Sequence, residues 1–115
     1  MKGSFRFTKK ERLTLAQDFR RVMRSGKKLA SSHYLVFLHE NEKAYHRLGI
    51  VAKKEIGQAN QRNRMKRYLR EFFRLHKHQI SGALDMVILI KKGNLPGRYR
   101  QVEEELTPLL KKMAS

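Results

Sequence analysis

Arg62-Asn63-Arg64-Met65-Lys66-Arg67-Tyr68-Leu69-Arg70 puts five cations and one asparagine into nine residues, with apolar residues interleaved at helical spacing. At 100° per residue, Met65, Tyr68, Leu69, Phe72, Phe73, Leu75 and His76 fall within an arc of roughly 160°. Arg62, Asn63, Arg64, Lys66, Arg67, Arg70, Arg74 and Lys77 cover most of the remainder, and only Glu71 interrupts them. The stretch therefore predicts a helix over about 59–78, with one face in a core and the other on a polyanion. A solvated helix face usually mixes signs, because opposite charges at i,i+4 stabilise it and like charges repel. Arg62, Lys66, Arg70 and Arg74 instead stack like charges four apart. Each such pair costs about 0.2–0.5 kcal/mol in the free protein. A bound anion is the compensation to which this pattern points.

Composition agrees. The 115 residues carry a net charge of +17, the electrostatic footprint of a nucleic-acid binder. That length suits one domain, residues 1–115, with residues 1–12 as a basic, partly mobile arm. There is no cysteine, so disulfides, thiolate nucleophiles and cysteine-based zinc sites are excluded. The first residues, Met1-Lys2-Gly3-Ser4-Phe5-Arg6-Phe7, hold no apolar signal core. No stretch approaches the roughly 18 apolar residues of a membrane span. A cytoplasmic location is expected.

Working outward from the basic helix, the apolar run Leu84–Ile90 predicts a buried strand after it. Two strand-like runs, Tyr34–His39 and Leu48–Lys53, precede it, and the polar turn between them predicts an antiparallel pair. A first helix is expected over about 14–25, capped by Thr14 with Gln17, or from the rival start Thr8 with Glu11. Leu15, Phe19, Val22 and Met23 form its apolar stripe, flanked by Arg20, Arg21 and Arg24, and Gly26 supplies a left-handed stop. A last helix spans about 98–113, with Pro108 expected to bend or split it. The order α-β-β-α-β-α defines an α+β fold, a two-layer α/β sandwich with a small mixed sheet and packed helices.

Three motifs then carry a family resemblance. Ala59-Asn60-Gln61-Arg62-Asn63-Arg64-Met65-Lys66-Arg67-Tyr68-Leu69-Arg70 closely resembles the signature of the bacterial ribonuclease P protein component. Gly49-Ile50-Val51-Ala52-Lys53-Lys54 is similar to the family's strand before that helix. Leu13-Thr14, Asp18-Phe19, Val22 and Gly26 match its first-helix pattern. The resemblance implies the small subunit of an RNA-based endoribonuclease, whose RNA subunit holds the catalytic magnesium ions and removes the 5′ leader of precursor tRNA. It implies the catalytic RNA and precursor tRNA as partners, with no membrane and no further protein partner. It also implies a left-handed β-α-β crossover around the basic helix, against the general preference for the right hand. Two positions depart from the pattern. Glu55 stands where a further cation is common, and Met23 where an aromatic residue is common.

The RNA-binding candidates are Arg62, Asn63, Arg64, Lys66, Arg67 and Arg70. Arginine's planar donor fork matches phosphate oxygens, lysine acts as a point charge, and asparagine can reach a base edge or a 2′-hydroxyl. Phe19 and Phe37 are candidates for stacking on an unpaired leader, with Lys53 and Lys54 lining the same cleft. Phe37, in an apolar strand, fits a core position equally well. No catalytic or metal-binding residue is expected in the protein itself. His76 and His78 point about 200° apart on a helix, and the carboxylates are scattered rather than clustered. Two other readings remain open from the residues alone. One is a structural RNA-binding protein of ribosomal type. The other is a self-sufficient nuclease using His39 and His46 with Lys53 as general acid and base.

Overall fold

The computed structural model describes residues 6–113. α1 (Ala16–Ser25) leads into β1 (Lys27–Ala30), β2 (Tyr34–Glu40) and β3 (Arg47–Val51); α2 (Ala59–His76), β4 (Leu84–Ile90) and α3 (Tyr99–Met113) follow. The six expected elements occur in the expected order, with β1 in addition. Four residues of Lys-Lys-Leu-Ala carry too short an alternation to announce a strand, and β1 exists because β2 templates it.

The sheet order is β1-β2-β4-β3. β2 pairs antiparallel with β1 and β4, whereas β3 lies parallel to β4. The expected antiparallel pairing of the 34–39 and 48–53 runs is thus wrong: β4, the most apolar strand, takes the centre between them. A strand buried on both faces sits better there than at an edge, and Leu84–Ile90 is buried at every position except Leu84 and Leu89.

β3, α2 and β4 form a parallel β-α-β unit whose hand follows from one hydrogen bond. Leu48 turns its side chain into the cluster shared with α2, while its carbonyl accepts the Leu13 N–H on the edge away from β4 (2.9 Å). For an L-residue with its side chain toward the viewer and the chain running up, the carbonyl and N–H point right. β4 therefore lies to the left, beneath a helix nearer the viewer, and the crossover is left-handed. That hand is rare, and the segment around Arg12 and Leu13 occupies β3's other edge at Leu48.

One sheet face presents Tyr34, Val36, Leu38, Leu48, Met86, Ile88 and Ile90 to α2 and α3. Met65, Leu69, Phe72 and Phe73 of α2 and Val102, Leu106, Leu109, Leu110 and Met113 of α3 complete that core. Each such side chain contributes about 1.5–3 kcal/mol on burial. α3 runs unsplit through Pro108. The opposite face carries α1 on a smaller cluster of Leu13, Val22, Phe37 and Val87. Phe37 is thus a core residue, 7% exposed, under α1.

α1 starts two residues later than expected, with Leu15 at the N-cap and no side-chain cap, so the Thr14–Gln17 box is not formed. Thr8 and Glu11 do close a turn: the Glu11 carboxylate accepts the Thr8 N–H and hydroxyl, each at 2.8 Å. Gly26 is not left-handed (φ −81°, ψ 164°). Glycine is needed there because a Cβ would lie 2.5 Å from the Val22 carbonyl oxygen and 2.6 Å from that of Leu38.

Candidate nucleic-acid interface

β3 ends at Val51, exposed Lys53 and Lys54 lie in the link that follows, and the basic helix α2 begins at Ala59. Gln61 holds the helix entry, its side-chain oxygen accepting the Gln58 N–H at 2.8 Å. Along α2, Asn63, Arg67 and Arg70 are exposed, while Arg62, Arg64 and Lys66 are half-buried. The Arg62 guanidinium donates to the Gly57 carbonyl at 2.9 Å, which ties the Arg-Asn-Arg segment to the turn before the helix. Arg64 Nε is buried and has no partner among the described residues. The Arg67 guanidinium lies 5.8 Å from the Tyr68 ring centroid.

The basic face is shorter than the sequence reading drew it. Arg74 is bound by Glu71 through two hydrogen bonds of 3.2 and 2.9 Å. Lys77 belongs to the interior, only 7% exposed, with its ammonium 2.6 Å from the Glu11 carboxylate and donating to the Arg6 carbonyl. At its position the α-helix gives way to a 3₁₀ turn, which turns Lys77 inward. Burial acts to raise the Glu11 pKa, but the Lys77 and Thr8 hydrogen bonds outweigh it and hold the carboxyl below its ordinary value.

The α1 side offers a second surface. Phe19 and Met23 are half-buried beside the smaller cluster, and the Phe19 ring occupies the space above Gly49, where a Cβ would come within 2.5 Å of it. Beyond Phe37 and Val87, the next row across the same sheet face is Ala30, Leu35, Leu89 and Val51, by the strand register. Leu35, Leu89 and Val51 are half-buried, so they form an apolar floor that α1 does not seal. Exposed Lys28 stands opposite Phe37 in the strand register, and exposed Lys53 and Lys54 follow Val51 in the chain. The floor row escaped the sequence reading. Alternation in β2 separates Leu35 from Val36, but only the register shows that Leu35, Leu89 and Val51 align.

An ionic clamp fixes α1 to the sheet. Asp85, wholly buried, accepts Arg47 at 2.8 and 2.7 Å, Asn41 at 2.9 Å and Arg21 at 3.3 Å. Arg21 also pairs with Asp18 at 2.9 Å. Burial on its own would raise the Asp85 pKa; the Arg47 and Asn41 hydrogen bonds and the arginine charges outweigh it, and the carboxyl stays below its ordinary value.

The histidine pair of the nuclease reading is not assembled. β4 lies between the strand carrying His39 and the one beginning at Arg47. His46 is buried, with Nε2 donating to the Ile80 carbonyl (2.9 Å) and Nδ1 accepting the Leu84 N–H (2.9 Å), a structural role in one tautomer. No group of three metal-ligating side chains occurs among the described residues.

The fold is a small α+β sandwich with a cationic helix, the class of small basic α+β proteins. Within that class the comparisons are specific. The family model for Ribonuclease P matches residues 7–114. The ribonuclease P protein component of Desulfosudis oleivorans is 38% identical over 109 residues, covering 95% of this chain and 90% of the relative. That of Thermotoga maritima is 38% identical over 112 residues, covering 93% and 95%. Among solved structures, the Staphylococcus aureus RNase P protein matches with a TM-score of 0.82 at 30% identity, covering 91% of this chain and 98% of that one. The Thermotoga maritima RNase P protein matches with a TM-score of 0.79 at 35% identity, covering 91% and 99%. The chain belongs to the ribonuclease P protein component family, and so is the protein subunit of the endoribonuclease that matures tRNA 5′ ends, partnered with its RNA subunit.

Proposed function

We propose that this subunit grips the RNA subunit with Arg62, Asn63, Arg64, Lys66, Arg67 and Arg70 and holds the 5′ leader of precursor tRNA in the cleft beside α1. The observation that carries this reading is the half-buried row Leu35–Leu89–Val51, packed with Phe19 and Met23 around the cluster under α1, with exposed Lys28 across the strand register and exposed Lys53 and Lys54 in the link from β3 to α2. An unpaired base stacks on an aromatic ring such as Phe19 with little sequence preference, at about 1–3 kcal/mol per base, the aliphatic row gives apolar contact, and lysines track the backbone. Phe37 acts from below, holding α1 and the floor in place, and does not touch the leader. Catalysis belongs to the RNA subunit and its magnesium ions. The protein's share is charge neutralisation and placement of the leader, in the bacterial cytoplasm. Duplex-only binding, the ribosomal-type reading, leaves the apolar floor without use.

The test compares precursor tRNAs with a long leader and with a leader of a single nucleotide. Phe19→Ala should weaken holoenzyme affinity about tenfold for the long leader and leave the short-leader substrate unchanged. Equal loss on both would overturn leader binding by this cleft.

A further inference from the structure

We propose that the groove between α2 and the N-terminal segment, at the end of β3's outer edge beyond its pairing at Leu48, is a track for an unpaired segment of the RNA subunit, separate from the leader cleft; this rests on the chain's reading as an RNA-binding subunit. Two adjoining cavities of about 220 and 520 Å³ share Phe7 and Arg12, and so form one continuous groove. α2 supplies one wall, where Lys66, Arg70 and Arg74 recur every four residues along one stripe. The N-terminal segment supplies the other, with Arg6, Phe7 and Arg12.

Each part suits a single strand. The Phe7 ring is braced edge-on against Phe73 (centroids 5.4 Å apart), and the Arg12 guanidinium lies 5.1 Å from its centroid. Together they make a cation–aromatic platform on which a base can stack. Lys66, Arg70 and Arg12 form no ion pair among the described residues, so their charge is available to phosphates. The main chain adds a polar edge. Pairing of β3's outer edge reaches Leu48, which accepts Leu13 N–H, and strand alternation turns the N–H and C=O of Ile50 to that same edge, inside the groove. A donor and acceptor side by side can meet a 2′-hydroxyl or a base edge. An RNA duplex hides its bases and presents a broad phosphate cylinder, so it would use neither the platform nor the strand edge. Phe19, above Gly49, borders this groove and the leader cleft, and separates the two strands.

The absence of native cysteine makes the test direct. A photoreactive group is attached at Thr14→Cys, on exposed groove-lining Thr14, and in a parallel sample at Asn63→Cys on α2. Each protein is assembled with a bacterial ribonuclease P RNA, irradiated before and after precursor tRNA is added, and the adducts are mapped. The expected result is that Thr14→Cys cross-links to unpaired nucleotides of the RNA subunit in both conditions, with yield falling about tenfold when Arg12→Ser is added. Adducts confined to paired nucleotides or to the leader, a yield indifferent to Arg12→Ser, or no adduct while Asn63→Cys still cross-links, would overturn the track alone. Silence at both positions would overturn it together with the RNA-binding role of α2.

Discussion

Arg67 is exposed on α2, with its guanidinium beside the Tyr68 ring, and is the cleanest probe of phosphate contact. Arg67→Ala should reduce the slope of log affinity against log salt by about one, as expected for loss of one phosphate contact. Filter binding to the RNA subunit over a salt series measures it, and an unchanged slope removes Arg67 from the interface. Arg62→Ala should lower the slope and also loosen the helix entry, because Arg62 anchors the Gly57 carbonyl. Asp85 and Glu11 carry a different prediction. Both carboxyls have folded pKa values below their ordinary values of 3.8 and 4.5, so their contribution is complete above those values and is lost as pH falls through the lowered ones. Urea unfolding should therefore show stability falling with acid from pH 4.5 downward. Asp85→Asn should cost about 3–5 kcal/mol at neutral pH, because it strands Arg47 in a buried pair, and should flatten the acid limb. An acid limb in Asp85→Asn as steep as that of the unchanged protein would contradict this assignment, since the Asp85 part should be gone while the Glu11 part remains.

At the scale of elements, the seat of α1 on the sheet depends on a glycine. Gly49→Ala places a methyl group against the Phe19 ring and should displace it. Long-leader affinity is expected to drop about tenfold, a loss of the size of one stacked base, with a smaller loss in binding to the RNA subunit alone, whose groove Phe19 only borders. Titrations with both ligands separate these effects, and equal losses would mean that the whole sheet was disturbed. α2, β4 and α3 were legible in the sequence because each repeats a strong period over many residues. The β2–β3 pairing was misread because sequence proximity favours hairpins, whereas burial on both faces drove Leu84–Ile90 between them. β1 had no signal of its own. Lys77 was misplaced because a helical wheel cannot foresee a buried acid partner 66 residues away.

Over the whole molecule, the charge of +17 is held in a fold whose buried acids are already committed to internal partners. Inorganic phosphate should therefore stabilise the free protein by mass action, by about 2.7 kcal/mol at a hundred times its Kd. Thermal unfolding at constant ionic strength, with phosphate replacing chloride, measures it; an unmoved midpoint would mean that the cationic surface has no defined anion site. The basic face of the candidate site was readable from charge periodicity alone, and the family from three motifs. The apolar floor was not, since Leu35, Val51 and Leu89 come from three strands and meet only through register. The most direct measurement is cleavage of precursor tRNA by a bacterial ribonuclease P RNA at low magnesium, with and without this protein. Stimulated cleavage at the correct 5′ position, weakened by Arg67→Ala and Phe19→Ala, is the predicted result. Tight binding to the RNA with no stimulation would contradict the account.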